Sequence, residues 1–258
     1  MPALFIAGAG TEIGKTYVSA ALTRRLIAEG RRVRTLKPLA SGVPPLDHPD
    51  FAASDTARLL DAQGLAPTPE TVAACSPWRY VAPLAPDQAA ALEGRALALP
   101  DLVGWCRAEM ARAEDILIIE GVGGLMSPVT PDATGLDWLK ALGIPALLVS
   151  GSYLGAISHA LTACETLRLH AVPLRAVAVS ESPGAPTPPE TVAAAIRPRV
   201  AAAVLCLGRD APCPDELADV ARGPQVSYPS RRDGTGEPGR ALSRPTDPGR
   251  VAPARSRT

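Results

Sequence analysis

The stretch GAGTEIGKT, residues 8 to 16, constrains this chain more than any other. It follows the apolar run LFIA and precedes an amphipathic segment, so it reads as a strand, a glycine turn and a helix. A lysine closing such a turn lies beside backbone N–H groups and the positive end of a helix dipole, which together suit a polyphosphate. The spacing is unusual. The pattern G-x-x-x-x-G-K-[ST] needs glycine at position 9, where Ala9 stands, so Gly8 to Gly14 hold one residue too many. Because Gly-Lys-Thr also recurs by chance, the loop needs independent support.

The rest of the chain supplies a matching frame. Strand patterns at 3–7, 33–38, 115–120, 145–150, 175–180 and 202–207 alternate with helical patterns at 15–29, 54–64, 100–113, 134–142, 155–169 and 189–198. Strands that are apolar throughout are expected when helices cover both faces, so the fold class is α/β, a parallel β-sheet flanked by helices with right-handed crossovers. Sites in such sheets lie at the carboxyl ends of the strands, where the glycine-rich segments of this chain fall. The Pro- and Ala-rich stretch 66–94 is a long insertion between the second and third strands and a candidate site wall. From 229 to 258 five prolines, four glycines and seven arginines leave almost nothing to bury, so the expected organisation is a single domain, 1–228, with a disordered basic tail, 229–258.

Formal net charge is zero, so neither nucleic acid nor a membrane surface is expected as a partner, and no apolar run is long enough to span a bilayer. The five cysteines lack C-x-x-C spacing and read as reduced thiols, which fits a cytoplasmic enzyme. Arginine is strongly preferred: 26 basic residues include three lysines, Lys15, Lys37 and Lys140. Lysine approaches phosphate as a compact point charge, whereas the guanidinium makes a bulkier forked contact. A chain that keeps lysine in two glycine-rich loops against that bias has a geometric reason to do so.

Support for a phosphate site comes from oxygen ligands. Thr16 would offer its hydroxyl to Mg²⁺, which prefers hard oxygens from one or two carboxylates and keeps several waters. Glu120 ends an unbroken apolar strand and precedes three glycines, Gly121, Gly123 and Gly124, where a buried sheet meets its ligand. Asp55 opens the helix after the second strand; a metal ligand and a helix-terminal acid favoured by the dipole are both open readings. TLKPLASG, 35–42, carries Lys37 towards an anion, and GSYLGAISHAL, 151–161, turns into a helix whose N-terminus is a second anion site. His159 in that helix reads as a packed or surface residue.

GAGTEIGKT, TLKPLASG, SDTARLL, IIEGVGGLMSPVT and GSYLGAISHALT, in this order, resemble the successive motifs of the dethiobiotin synthase family of P-loop ATP-dependent ligases. The family's phosphate loop carries the same extra residue, so the lengthened spacing is characteristic of it. The resemblance implies a P-loop NTPase-like fold and closure of 7,8-diaminopelargonate with CO2 and ATP to dethiobiotin, ADP and phosphate, with Mg²⁺, in biotin synthesis. It implies catalytic roles for Lys15, Lys37 and Glu12. Glu12, Ile13, Gly14, Lys15, Thr16, Tyr17, Glu120, Gly121, Gly123 and Ser180 would bind ATP, and Thr16, Asp55 and Glu120 the metal. Thr11, Lys37 and Ser41 would surround the diamine, and Gly151, Ser152, Tyr153 and Leu154 would receive its carboxylate from the neighbouring subunit, which implies a homodimer.

Two positions depart from the family. Gly10 replaces a loop acid, and Ser180 stands where an adenine-binding Asn is usual, in a chain without a single asparagine. A hydroxyl makes fewer bonds to a base edge than an amide, so weaker base selectivity is expected. Two other classes remain as alternatives. A cobyrinate diamide synthase-like ligase would carry a glutaminase domain, for which the tail has no room. A ParA- or MinD-like ATPase switch would place a second lysine early in the loop, where Ala9, Gly10 and Thr11 stand.

Overall fold

The computed structural model describes residues 3–222. The boundary expected at 228 and the tail expected at 229–258 lie outside the described residues. Six strands form one parallel sheet: β1 (Ala3–Gly8), β2 (Val33–Leu36), β3 (Ile116–Glu120), β4 (Ala146–Ser150), β5 (Leu174–Ser180) and β6 (Ala203–Leu207), in the order β6-β5-β4-β1-β3-β2. Their near-continuous apolar sequences follow from position: β1, β3, β4 and β5 are buried at every residue. The helices are α1 (Lys15–Ala28), α2 (Asp55–Ala62), α3 (Pro69–Cys75), α4 (Pro86–Leu92), α5 (Leu99–Arg112), α6 (Gly135–Leu142), α7 (Ala156–Leu169), α8 (Pro189–Ile196) and α9 (Asp215–Arg222).

Helix α1 packs on the sheet through Val18, Leu22 and Leu26, which recur every four residues and are fully buried with Leu4, Ile6, Ile118 and Val149. Opposite, Phe5 meets Trp138 of α6 edge to face, with ring centroids 5.0 Å apart. Edge strand β2 is protected locally. Gln63 accepts from the Thr35 N–H and donates to the Thr35 carbonyl, both at 2.9 Å, which satisfies backbone groups that an edge strand leaves unpaired.

Register positions the site. Leu36 pairs with Ile119 across β2 and β3, so the next residue of each strand, Lys37 and Glu120, leaves the sheet side by side. Ile6 pairs with Glu120 across β1 and β3, which sets the phosphate loop beyond Gly8 against the same rim. The insertion after α2 is folded rather than loose. Leu39–Ala40 pairs in parallel with Trp78–Arg79, and the Lys37 N–H donates to the Cys75 carbonyl at 3.1 Å, tying the insertion to the end of β2.

Candidate active site

The rim of β1, β2 and β3 opens into a cleft of about 700 Å³. Its floor is the turn between β1 and α1. Gly14 takes a left-handed conformation, φ 95°, at the start of α1, and no side chain caps the helix, so its first N–H groups face the cleft without a side-chain acceptor. Glu12 is a left-handed residue as well, φ 56°, with its side chain exposed. Within the turn the Lys15 Nζ donates to the Gly10 carbonyl at 3.0 Å. Gly8 cannot be larger: a methyl there would lie 2.7 Å from the Gly123 carbonyl oxygen and 2.8 Å from that of Gly10. Gly8→Ala is expected to cost about 1–3 kcal/mol of stability and to weaken nucleotide binding; an unchanged Tm with an unchanged ADP-induced shift would contradict this.

Lys37 and three oxygen-bearing side chains meet above that floor. The Lys37 Nζ lies 2.7 Å from Glu120 Oε1 and 2.7 Å from Asp55 Oδ2. Thr16 Oγ1 donates to the same Glu120 oxygen at 2.7 Å. Glu120 is wholly enclosed, and its second oxygen, Oε2, has no hydrogen-bond partner. Burial pushes the Asp55 carboxyl up, but the Lys37 ammonium, through its charge and its hydrogen bond, outweighs it and holds the group at about 2. For Lys37, burial acts downward and the two carboxylates more than offset it, so its ammonium is raised. For Lys15 the same two carboxylates act upward but do not prevail. Burial, reinforced by the positive charge of Lys37, lowers it to about 8.

This oxygen set fits magnesium. Thr16, Asp55 and Glu120 are hard donors, the buried Glu120 Oε2 is orphaned, and two carboxylates leave room for water and phosphate oxygens. Among the described residues no three His, Cys, Asp or Glu side chains gather as a metal centre of the all-protein kind.

Most of the expected residues converge on the cleft. Thr11, Glu12, Ile13, Gly14, Lys15, Thr16, Tyr17, Lys37, Ser41, Asp55 and Gly123 line it. Glu120 lies beneath through its contacts to Thr16 and Lys37, and Gly121 follows it, its N–H donating to the Ile6 carbonyl at 3.0 Å. Ser180 is elsewhere. It is not among the lining residues: it is fully buried, its Oγ unpartnered, and a methyl on Gly14 would lie 2.5 Å from that oxygen, so it packs against the phosphate turn. The segment Gly151 to Leu154 does not line the cleft either. Ser152 and Ser182 exchange backbone-to-hydroxyl bonds at 3.0 Å, and Leu154 is 91% exposed. His159 is a surface residue whose Nδ1 lies 2.8 Å from the Tyr153 hydroxyl.

Sequence reasoning missed Arg58, the strap Pro83 to Pro86, Ser127 and Arg209, all of which line the cleft. Arg209 had a usable signal. It follows β6 in a glycine-containing turn at the same carboxyl rim. The strap carried the weaker signal of insertion length.

A family model described as an AAA domain matches residues 2–207. The chain is 68% identical over 222 residues to the ATP-dependent dethiobiotin synthetase BioD of Methylobacterium nodulans, covering 85% of this chain and 99% of the relative. It is 50% identical over 195 residues to the ATP-dependent dethiobiotin synthetase BioD of Caulobacter sp. strain K31, covering 75% and 82%. A solved MinC:MinD cell division protein complex from Aquifex aeolicus is 12% identical, with a TM-score of 0.46 over 88% of each chain.

Proposed function

The chain belongs to the family of ATP-dependent dethiobiotin synthetases, and from that premise we infer that it carries out the ATP-dependent synthesis of dethiobiotin in biotin biosynthesis. Its substrates are ATP, CO2 and 7,8-diaminopelargonate. One amine of the diamine adds CO2 to give a carbamate and releases a proton. A carbamate oxygen attacks the γ-phosphorus and expels ADP, forming a mixed carbamic-phosphoric anhydride. The second amine then attacks the carbonyl carbon, expels phosphate and closes the cyclic urea. Both amines belong to one molecule, so ring closure is intramolecular and needs little beyond alignment.

The observation that carries this reading is the convergence of Lys37, Asp55, Glu120 and Thr16 at the mouth of the Gly8–Lys15 turn. The α1 N–H groups and Lys15 would hold the phosphates, and Lys37 would sit where the carbamate meets the γ-phosphate and charge gathers on the transferring oxygens. Thr11, Glu12 and Ser41 would orient the diamine. Thr16, Asp55 and Glu120 would hold Mg²⁺, which when bound neutralises phosphate charge. Lys37, which pairs with Asp55 and Glu120 in the structure, would turn its ammonium to the substrate.

The reading includes a homodimer. Leu154, in the turn Gly151 to Leu154, is 91% exposed, which supports a turn that serves the cleft of a second copy. It also sets the reaction in the cytoplasm, where the five unpaired cysteines would stay reduced; no helix among the described residues is long and apolar enough to cross a membrane. The test is ADP release assayed with each substrate omitted in turn. Release should require both diamine and bicarbonate, with the urea detected by mass spectrometry. ADP release indifferent to the diamine would refute the assignment.

A further inference from the structure

A second cavity, of about 430 Å³, shares a wall with the cleft. We propose that it is a binding site for a small monocarboxylate with an apolar chain, held by Arg79 and Arg95. None of its residues has a part in the reaction described above, so the proposal stands apart from that reading.

The wall is a short backbone ladder. The Gly42 N–H donates to the Ala82 carbonyl and the Val43 N–H to the Tyr80 carbonyl, both at 3.0 Å. Gly42 and Pro83 line the cleft, whereas Val43 and Val81, next to them in the ladder, line the cavity. Its volume falls in the range of about 300–1,000 Å³ that small-molecule sites occupy.

Charge defines the ligand. Arg79, Glu93 and Arg95 line the cavity among apolar side chains that include Pro44, Leu46, Phe51 and Val72. Arg95 has a counter-ion, since its Nη1 lies 3.2 Å from Glu93 Oε2. Arg79 has none among the described residues. Its Nη1 donates to the Ser76 carbonyl and, at 3.3 Å, to the Val72 carbonyl, which anchors it at the end of α3. Its Nε and Nη2 make no hydrogen bond among the described residues. Burial, and after it the charge of Arg95, lowers the Arg79 guanidinium from its ordinary value.

The second cation is fixed beside the first. Arg95 Nη1 also donates to the Arg79 carbonyl at 2.7 Å, and its Cζ lies 4.8 Å from the centroid of the Tyr80 ring. A half-buried cation with spare donors and a like charge for a neighbour is stabilised by an anion that accepts from it. Two cations and one acid leave a single positive charge, which matches one carboxylate. The proline and aliphatic walls match a hydrocarbon chain.

The experiment is equilibrium binding of octanoate to the full chain by calorimetry, with octanol and octylamine as the neutral and cationic controls. The wild type should bind octanoate with a Kd of about 1 mM or tighter and each control at least about tenfold more weakly. Arg79→Leu should weaken octanoate by about tenfold or more with an unchanged far-UV circular dichroism spectrum. Because Arg79 also anchors the end of α3, Arg95→Gln is the second variant. The Arg95 side chain is 44% exposed and its loss leaves that anchor in place, so octanoate should weaken by about threefold or more in a folded protein. Octanoate binding that survives both substitutions, octanol binding as tight as octanoate, or displacement of octanoate by 7,8-diaminopelargonate would overturn the proposal. So would a wild type that takes up no octanoate at about 10 mM. Diamine-dependent ADP release does not bear on any of these outcomes, so the function and the second site can fail separately.

Discussion

Lys37→Gln is expected to lose about 10³-fold in turnover while ADP affinity changes by less than about tenfold. The ammonium is held 2.7 Å from each of two carboxylates at the mouth of the phosphate turn, whereas Lys15 and the α1 N–H groups remain for ground-state phosphate binding. Removing Lys37 takes away the charge needed most when the transferring oxygens become more negative. The same substitution leaves Glu120, which is 0% exposed, without its cation. Breaking a buried pair from one side costs about 3–5 kcal/mol, so the ligand-free variant should melt earlier than the wild type. Magnesium should raise the variant's Tm more than the wild type's, because the metal would supply the missing positive charge. Unchanged turnover would remove Lys37 from the mechanism, and a magnesium shift smaller than the wild type's would count against Glu120 and Asp55 as ligands.

Lys15→Met should separate stability from function. Burial and the Lys37 charge lower the Lys15 ammonium from 10.5 to about 8, so the ligand-free fold encloses a cation that the unfolded chain holds more easily. One pKa unit corresponds to about 1.4 kcal/mol, and a neutral side chain of similar length should stabilise the ligand-free protein by about 1–3 kcal/mol in urea denaturation. The sign with pH follows from proton counting. Between about 8 and 10.5 the unfolded state binds more protons than the folded one, so the wild type should gain stability as pH rises through that window. The variant should lack this rise. ADP binding should weaken by about 100-fold or more, so its stabilising shift disappears. A less stable variant that still responds to ADP would refute this account of Lys15.

The two lysines also show which part of the molecule was legible in the sequence. Six strands, the crossover helices and the acids at the rim could be read because each depends on local signals: apolar runs, glycine turns, and a charge where a buried strand ends. The lengthened turn and Lys37 were legible for the same reason, with the scarcity of lysine adding weight. Helices α3 and α4 were hidden inside the insertion because each has seven residues, too few for a periodic pattern to declare itself. Proline begins both, and Thr68 and Thr71 cap the first, but such signals also mark turns.

What the sequence could not show was direction. Ser180 lies at the end of β5 as expected, yet its hydroxyl is buried against Gly14 because the tight turn passes directly over it. Arg209 reaches the cleft only through the pairing of β6 beside β5, a neighbour relation that follows from the strand order. The contact between Lys37 and Glu120, 83 residues apart, needed the register of β2 and β3. Spacing along the chain carries no trace of register.

This site should pass the γ-phosphoryl group to a carbamate and not to water. That outcome is tested most directly by running the reaction with ¹⁸O-labelled bicarbonate and weighing the phosphate released at early times, before the label exchanges with solvent. One labelled oxygen is expected in each phosphate, carried over when the second amine displaces it, and one in the urea. Phosphate that carries oxygen from water alone would mean simple ATP hydrolysis and would contradict it.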